Sequence, residues 1–463
     1  MRKVATMTDF QSLPTPSPRF TQVAQFAKAL TLEEVPQPVT DFARLLVLDL
    51  IGVALAGSRV DAGRIARDFA VRHWAAGPGA PSARLMFDGR RSSLPGATYA
   101  LATQIDNLDA HDGWQPSKGH AGAALFPALV AIGDGLPDLS GREALVSLIV
   151  GYEISYRCAR ALHATTADYH TSGAWNALGV AAIGARLLKL GEGAFRHALG
   201  LAEYHAPRSQ MMREIANPSM LHDGTGWGAP AGVSAVLLAQ EGFTGAPAAV
   251  VEFDDARFTW EDLGTRWLTA EQYIKPYPTC RWAHAPIDCV LELKKKHDLT
   301  PEQIERVEVR TFIYATQLWN DVPTSSAVAQ YALAWPVAAA LARGRVTADE
   351  ILPESFSDPV IRHLVTRIVP IVDSQCETSY PEKRLASVAI LTRNGKRYET
   401  AVREASGGPV PLPTQEAVVA KYRAFAEPVI GAARAAEIEK LALSLDQPGR
   451  TFKTLLDRIL EPA

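Results

Sequence analysis

A helical pattern runs through more than half of the chain and constrains its fold more than any other feature. From residue 20 to residue 267, apolar residues recur at every third or fourth position, which is the period of an α-helix. In Phe42–Gly57 the exception on the apolar face is Asp49. Gly179–Ala185 is rich in glycine and alanine. Helix faces made of such small residues let helix axes approach closely. The pattern therefore predicts a tight bundle of helices.

The residue pattern changes after residue 268. Val307–Phe312 and Ala386–Thr392 alternate polar and apolar positions and are rich in β-branched residues, as β-strands are. Asn394-Gly395 then favours a hairpin turn into a further strand over Lys396–Val402. Helical patterns separate these strands, and such a mixture predicts an α+β domain. From Thr414 onward the sequence is again helical.

The length of the chain also indicates more than one domain. A single hydrophobic core stops growing at about 250–300 residues, and this chain has 463. We therefore predict a mainly α fold, in which both ends of the chain form a large all-helical domain and a smaller α+β lid domain is inserted between them. The predicted boundaries are a flexible leader over 1–19, helices over 20–267, the lid over 268–408 and the completing C-terminal helices over 409–463.

Composition excludes several classes of partner. Lys and Arg number 47 against 50 Asp and Glu, so there is no overall field to attract nucleic acid or anionic lipid. The longest apolar run, Phe42–Gly57, is shorter than the roughly 20 residues of a membrane span. The first residues lack the apolar core of a signal peptide, and the four cysteines form no CxxC pair. We predict a cytoplasmic protein that binds neither nucleic acid nor membrane.

The densest polar cluster lies in residues 106–120, between two apolar helices. Three carboxylates and two histidines lie within these fifteen residues, and reactive groups collect on loops that rigid elements hold in place. The alternative is a solvated acidic loop without chemistry. The candidate residues in this cluster are Asp109, His111, Asp112, Lys118 and His120.

Two further clusters contain basic groups and histidines. Arg208 and His222 belong to a region whose glycine-flanked turns let a ligand approach the backbone. Lys275, Arg281 and His284 lie where the helical pattern gives way to the mixed one, and domain junctions are favoured ligand sites. For both clusters an ordinary loop or interface role remains the alternative.

Together these residue types predict proton chemistry beside a carboxylate. Histidines and aspartates with pKa values near neutrality abstract and return protons. Lysines and arginines bind carboxylates and stabilise the negative charge that develops beside them. Elimination, isomerisation or decarboxylation of a di- or tricarboxylic acid fits this set. An iron–sulfur dehydratase is not expected, because it would need three or four suitably placed thiolates.

In its order of motifs the chain resembles the MmgE/PrpD family, which includes 2-methylcitrate dehydratases, cis-aconitate decarboxylases and iminodisuccinate epimerases. The likeness covers nearly the whole chain. The matching segments are Asp49–Gly57, Asp109-x-x-Asp112-Gly113 with Gly119-His120-x-Gly122 and Pro127-Ala128, Gly151-Tyr-Glu153, Tyr169-His170-x-x-Gly173, Lys275-Pro-Tyr-Pro-x-Cys280 with His284, and Asn394-Gly395.

The resemblance implies a helical domain built from both ends of the chain, an α+β lid and a homodimer. It also implies an active site in the cleft between the domains that uses no metal and no organic cofactor. Asp109, His120 and His284 match motif positions of the family site. His222 aligns where dehydratases and decarboxylases typically have a lysine, and histidine, unlike lysine, can be neutral near pH 7.

The main hypothesis is a cofactor-free lyase resembling 2-methylcitrate dehydratase. His120 or His284 would remove a proton next to a carboxylate, and Asp109 would orient the base or act as the acid. The sequence leaves open which histidine is the base. The candidate catalytic set is Asp109, His120, His222 and His284, and the candidate substrate-binding set is His111, Asp112, Lys118, Arg208, Lys275 and Arg281.

Other functions remain open. An isomerase, an epimerase or a decarboxylase of the same family would use the same groups. The adjacent His111 and Asp112 also suggest a metal-dependent phosphohydrolase, although the upstream helical histidine that such sites need is missing. A protein that binds carboxylic acids without catalysis is the last alternative.

Overall fold

The computed structural model describes residues 14–463, and helices dominate it, which confirms the mainly α prediction. The predicted leader lies partly outside these residues, and the first helix begins at Pro18, capped by Ser17. The first eleven helices are α1 Pro18–Ala29, α2 Gln37–Gly57, α3 Asp61–His73, α4 Leu94–Asp106, α5 Gly122–Gly133, α6 Gly141–Thr165, α7 Gly173–Leu187, α8 Glu192–His205, α9 Met211–Ala216, α10 Thr225–Gln240 and α11 Ala249–Glu252.

Small residues let the central helices of this bundle approach closely. Helix α7 packs on α6 and on α10. A Cβ atom on Gly179 of α7 would lie 1.9 Å from Ser155 Oγ and 2.5 Å from the carbonyl O of Gly151, both on α6. The predicted tight contact through the small-residue segment is therefore present.

The region after residue 268 contains a four-stranded sheet. The strand order is β6-β5-β7-β8, with β5 and β6 parallel and the other pairs antiparallel. The strands of the protein are β1 Ser82–Arg84, β2 Arg91–Ser93, β3 Asp112–Gly113, β4 Tyr273–Ile274, β5 Ile304–Thr311, β6 Ile368–Val372, β7 Ala386–Thr392 and β8 Arg397–Glu399. The helices of this region are α12 His284–His297, α13 Ile313–Thr316, α14 Ser326–Gln330, α15 Ala334–Arg343, α16 Ala348–Ile351, α17 Pro359–Val365 and α18 Ser374–Ser379.

Most of the predicted elements of this region are observed. Strand β7 has the predicted bounds, and Gly395 takes a positive φ of 81° in the hairpin turn, as the Asn-Gly pair indicated. Strand β6 was not predicted. Its sequence, Ile-Val-Pro-Ile-Val, contains a proline, which argues against a strand in sequence patterns and is tolerated here because β6 lies at the edge of the sheet.

The last two helices pack on the first part of the chain. Helix α19 (Gln415–Ala442) packs on α2, and α20 (Phe452–Ile459) contacts α5 and α19. Gly431, with a φ of 75°, interrupts α19 with one non-helical residue. Asp49 of α2 is 1 % exposed and accepts a hydrogen bond from Lys421 Nζ at 2.6 Å, which explains the polar exception on that apolar face. No helix within residues 14–463 is long and apolar enough to cross a membrane.

Candidate active site

Two short strands bring the first and third polar clusters of the sequence together. Strand β3 pairs antiparallel with β4, with Asp112 opposite Ile274. Next to them lies a cavity of about 40 Å³, which we call the central cavity; a cavity of about 10–15 Å³ already holds one water molecule. Its lining residues are Asp109, Lys118, Gly119, His120, Tyr169, Met211, Ile215, Asp223, Tyr273, Lys275, Cys280, Arg281, Trp282, Tyr331 and Arg384.

A buried ion pair joins two of the predicted site residues. Lys275 is 1 % exposed, and its Nζ donates to Asp109 Oδ1. Burial lowers the pKa of Lys275, but Asp109, Tyr273 and Cys280 together outweigh this effect, and the pKa is raised overall. Asp109 has a positive φ of 53°, a conformation that is costly for a non-glycine residue and is concentrated at functional sites. The ammonium group is therefore charged and fixed in the cavity wall.

His120 directs one ring nitrogen towards the central cavity. Its Nδ1 lies 2.6 Å from the backbone carbonyl O of Asp112, and because a carbonyl can only accept, Nδ1 carries the proton. Nε2 therefore has the lone pair, and it lies 3.4 Å from Asp223 Oδ2. Burial, together with nearby Lys275 and His111, holds the pKa of His120 well below its usual value. His120 is thus a neutral imidazole held in one tautomer, which is the form that a general base takes.

Asp223 places a carboxyl group beside His120, and the sequence analysis did not select it. Its Oδ2 accepts a hydrogen bond from Ser172 Oγ at 3.0 Å. Burial raises the pKa of Asp223 well above its usual value, and Asp106 and Asp109 add to the shift. A carboxyl that holds its proton more tightly than usual, next to a neutral imidazole, can supply an acid and a base on one wall. A signal was present, because Asp223 lies in the glycine-flanked loop already singled out.

Lys118, Arg281 and Arg384 line the central cavity and have no carboxylate partner within residues 14–463. Arg281 donates to backbone carbonyls at 405–406, and its guanidinium lies 4.6 Å from the centre of the Tyr273 ring. Burial lowers the pKa of Arg281 to about 10, which leaves it charged at neutral pH. The cavity therefore carries an excess of positive charge and suits an anion.

Arg384 is the cationic residue that the sequence analysis missed. Its buried Nε has no hydrogen-bond partner in the described part of the chain, although the side chain borders the cavity. In the sequence Arg384 directly follows Glu382 and Lys383 just before strand β7, and a short charged run of this kind is typical of a surface position. Nothing in that context indicated a site.

His111 and Asp112, which were predicted to bind substrate, lie behind the cavity wall. The Asp112 carboxylate accepts hydrogen bonds from the Tyr152 hydroxyl at 2.9 Å and from the Gly122 amide at 3.2 Å. His111 is fully buried, with its ring centre 4.6 Å from that of His120, and its Nδ1 lies 3.3 Å from the same Asp112 carbonyl. Both residues support the orientation of His120 and do not line the cavity.

His284 holds Arg281 in place and does not line the central cavity. Its Nε2 lies 2.9 Å from the Thr279 carbonyl, so Nε2 donates, and its Nδ1 lies 3.3 Å from Arg281 Nη1, which can only donate. Both ring nitrogens are engaged, and no lone pair is free to take a proton from a ligand. Of the two histidines that the sequence left open as the base, the geometry favours His120.

His222 faces a second cavity of about 540 Å³, which we call the side cavity. Successive residues of one loop line opposite cavities, since Asp223 faces the central cavity while His222 and Gly224 face the side cavity. Arg208 lines neither cavity; its side chain is 44 % exposed and lies 3.9 Å from Glu203. The structure thus brings Asp109, His120 and the cavity cations together and leaves these two predicted residues apart.

Within residues 14–463 no three histidine, cysteine, aspartate or glutamate side chains are grouped so as to hold a metal ion. All four cysteines are free, buried thiols. The metal-dependent phosphohydrolase suggested by His111 and Asp112 therefore lacks a ligand set in the described part of the chain.

Comparison with known proteins identifies relatives over most of the chain. A model of the MmgE/PrpD N-terminal domain matches residues 21–260, and one of the MmgE/PrpD C-terminal domain matches residues 277–447. Two cis-aconitate decarboxylases of Aspergillus terreus are 23 % and 24 % identical, each over 92 % of this chain and 93 % of their own. A cis-aconitate decarboxylase-like protein of Aspergillus oryzae is 22 % identical over 92 % of this chain and 94 % of its own.

Proposed function

Because the chain belongs to the MmgE/PrpD family, we propose that it is a lyase that acts on a small di- or tricarboxylic acid by proton transfer at a carbon next to a carboxylate. The pairing of His120 with Asp223 in a cationic cavity carries this proposal. A neutral imidazole with a free Nε2 lone pair and a protonated carboxyl lie 3.4 Å apart there. Proton abstraction and proton delivery can therefore both take place from one wall.

Decarboxylation is the first reaction to test, since the curated relatives are cis-aconitate decarboxylases. In an acid with a β,γ double bond, the bond from the α carbon to the leaving carboxylate breaks and carbon dioxide departs. Its electron pair forms a new α,β double bond, and the former double-bond pair takes a proton at the γ carbon. His120, relaying the Asp223 proton, would deliver that proton.

The same groups would serve the dehydration predicted from the sequence. His120 Nε2 would remove the proton next to a carboxylate, and the hydroxyl on the neighbouring carbon would leave as water with a proton from Asp223. Either reaction needs the remaining carboxylates held still and their negative charge stabilised. Lys275, Lys118, Arg281 and Arg384 are the groups proposed to hold them.

Substrate binding requires the central cavity to open. A volume of about 40 Å³ is too small for a tricarboxylic acid. Gln115 Nε2 donates to the backbone carbonyl of Pro381 at 3.0 Å and to that of Glu382, and so joins the loop before His120 to the segment that leads to Arg384. Separation of these two segments would open the cavity beside Arg384, and closure over the substrate would exclude water.

The test is incubation with cis-aconitate, citrate and 2-methylcitrate in deuterated water, followed by proton NMR. Release of carbon dioxide with one deuterium at the γ carbon is the expected result. An alkene formed without loss of carbon dioxide would show that the enzyme is a dehydratase and not a decarboxylase. Deuterium exchange without a new alkene would indicate an epimerase. Tight binding of these acids with no turnover would overturn the proposal in favour of a binding protein.

The homodimer and the cytoplasmic location remain predictions from the family resemblance and from composition. Sedimentation equilibrium of the full chain measures the first, with twice the chain mass as the expected result. A monomer at micromolar concentration would contradict it. The proposed chemistry does not depend on this outcome, because every residue assigned to it belongs to one chain.

A further inference from the structure

The side cavity is larger than the central cavity and is not used by the proposed reaction. It has a volume of about 540 Å³ and shares its inner wall with the central cavity. Its lining residues are Tyr99, Thr103, Asp106, Asn107, Thr171, Pro207, Ser209, Arg213, Glu214, Asn217, Ser219, Met220, Leu221, His222, Gly224, Gly226 and Trp227.

Three buried polar groups that line this cavity have no hydrogen-bond partner within residues 14–463. They are His222 Nε2, Thr171 Oγ1 and Thr103 Oγ1, on residues that are 2 %, 3 % and 8 % exposed. A buried polar group without a partner is destabilising, because it has lost its hydrogen bonds to water and gained none in their place. All three can donate a hydrogen bond, and His222 takes a strained positive φ of 46° at the position where it faces the cavity.

The N-terminus of a long helix opens onto the same space. Helix α10 spans 16 residues from Thr225, and Gly226 and Trp227 of its first turn line the cavity. The positive end of the helix dipole and its first backbone amides favour an anion. Arg213 adds a positive charge and has no carboxylate partner in the described part of the chain.

Two acidic residues also line the side cavity, and both are already engaged. Asp106 Oδ2 accepts from the Thr225 amide at 3.3 Å, and burial followed by the nearby Asp109 raises the pKa of Asp106 to about 8, so this carboxyl is mostly protonated at pH 7. Glu214 accepts from the amide and the hydroxyl of Ser219. The amides of Trp227 and Gly228 donate to the Gly224 carbonyl, so the Gly226 amide is the one of this first turn that is left for an anion.

We propose that the side cavity is a second binding site, separate from the central cavity, for a small oxyanion group such as the phosphate or carboxylate of a metabolite. The anion contacts His222 Nε2, the hydroxyls of Thr103 and Thr171 and the first turn of α10, with Arg213 at the mouth. The two cavities have no lining residue in common. The proposal of an anion site is therefore independent of the proposed lyase activity.

Selenate is a suitable probe, because it is a tetrahedral oxyanion and its selenium can be located by anomalous scattering. In crystals of the full chain soaked in selenate, a peak within hydrogen-bond distance of His222 Nε2 or Thr171 Oγ1 is expected. A peak in the central cavity alone, or no peak, overturns the proposal. Soaks with added inorganic phosphate or malonate then identify the preferred group, and a peak that neither displaces would be an adventitious ion only and would also overturn it.

Calorimetric titration of selenate in solution separates the two cavities. Arg213→Gln and Thr171→Val are expected to weaken binding at the side cavity at least fivefold. Arg208→Gln is the matched control, since Arg208 is a nearby exposed arginine that lines neither cavity. Arg384→Gln alters only the central cavity. Equal affinity in the Arg213→Gln and Arg208→Gln variants contradicts the proposed site.

Discussion

The central and side cavities lie on the two sides of one wall, and they differ in how their polar groups are satisfied. In the central cavity Lys275 is paired with Asp109, and His120 is fixed by the Asp112 carbonyl. In the side cavity His222 and Thr171 have polar atoms with no partner in the described part of the chain. Contacts that fix the charge and the tautomer of a side chain preorganise it for catalysis. A buried donor without a partner can instead form its hydrogen bond with a bound ligand.

The largest effect should come from His120, the proposed acid–base group of the central cavity. His120→Gln removes the Nε2 lone pair, and general acid–base groups contribute about 10²- to 10⁴-fold to a rate. We expect kcat on the substrate found by NMR to fall about a thousandfold. His205→Gln, a substitution of an exposed histidine outside the central cavity, serves as the control and should leave kcat within twofold. Retention of a tenth of the activity by His120→Gln would remove His120 from the mechanism.

The buried ion pair predicts an effect on stability. Asp109→Asn leaves the Lys275 ammonium unpaired at 1 % exposure, and breaking a buried pair from one side costs about 3 kcal/mol. The free energy of unfolding, measured in urea, should fall by that amount. The double variant Asp109→Asn with Lys275→Met should recover part of the loss, because no buried charge remains. An unchanged unfolding midpoint for Asp109→Asn would show that the pair is not closed in solution.

Substrate affinity should depend on the unpaired cation that the sequence did not indicate. Arg384→Gln removes a charge-assisted hydrogen bond to a substrate carboxylate, which is worth about 1.5–3 kcal/mol. We therefore expect KM to rise about 10- to 100-fold with a smaller change in kcat. Arg362→Gln, a substitution in helix α17 that lies outside both cavities, is the control. Equal KM values for the two variants would exclude Arg384 from substrate binding.

The last effect concerns the wall between the cavities, and it develops over a range of pH. The pKa of Asp106 is raised from 3.8 to about 8, mainly by burial, so the folded state keeps its proton up to about pH 8 and the unfolded chain only to about 3.8. Its contribution to stability is complete below about pH 3.8 and is lost as the pH rises from there to about 8, by about 1.4 kcal/mol per pH unit. Asp106→Asn should flatten the fall in the urea midpoint between pH 5 and pH 8. The exposed Asp138→Asn control should not, and parallel profiles for wild type and Asp106→Asn would contradict the shift.

Local pattern was enough to predict much of the fold. Helical periodicity indicated the bundle, and the alternation in Ala386–Thr392 together with Asn394-Gly395 indicated a hairpin that is present. Strand β6 escaped prediction because its identity depends on pairing with β5, more than 50 residues earlier in the chain. A strand that is defined by a distant partner leaves little trace in its own residues.

The sequence alone determined the chemistry available to this protein: histidines, aspartates and cations in three clusters, of which Asp109, His120 and Lys275 converge. Only the tertiary structure decided which side of the wall each group faces. His222 and Asp223 are neighbours, yet the positive φ of His222 turns them towards different cavities. Arg384 reaches the central cavity from far along the chain. The periodicity of a sequence indicates which face of its own helix or strand a residue lies on. Which distant residues meet is decided by how whole helices and strands pack together.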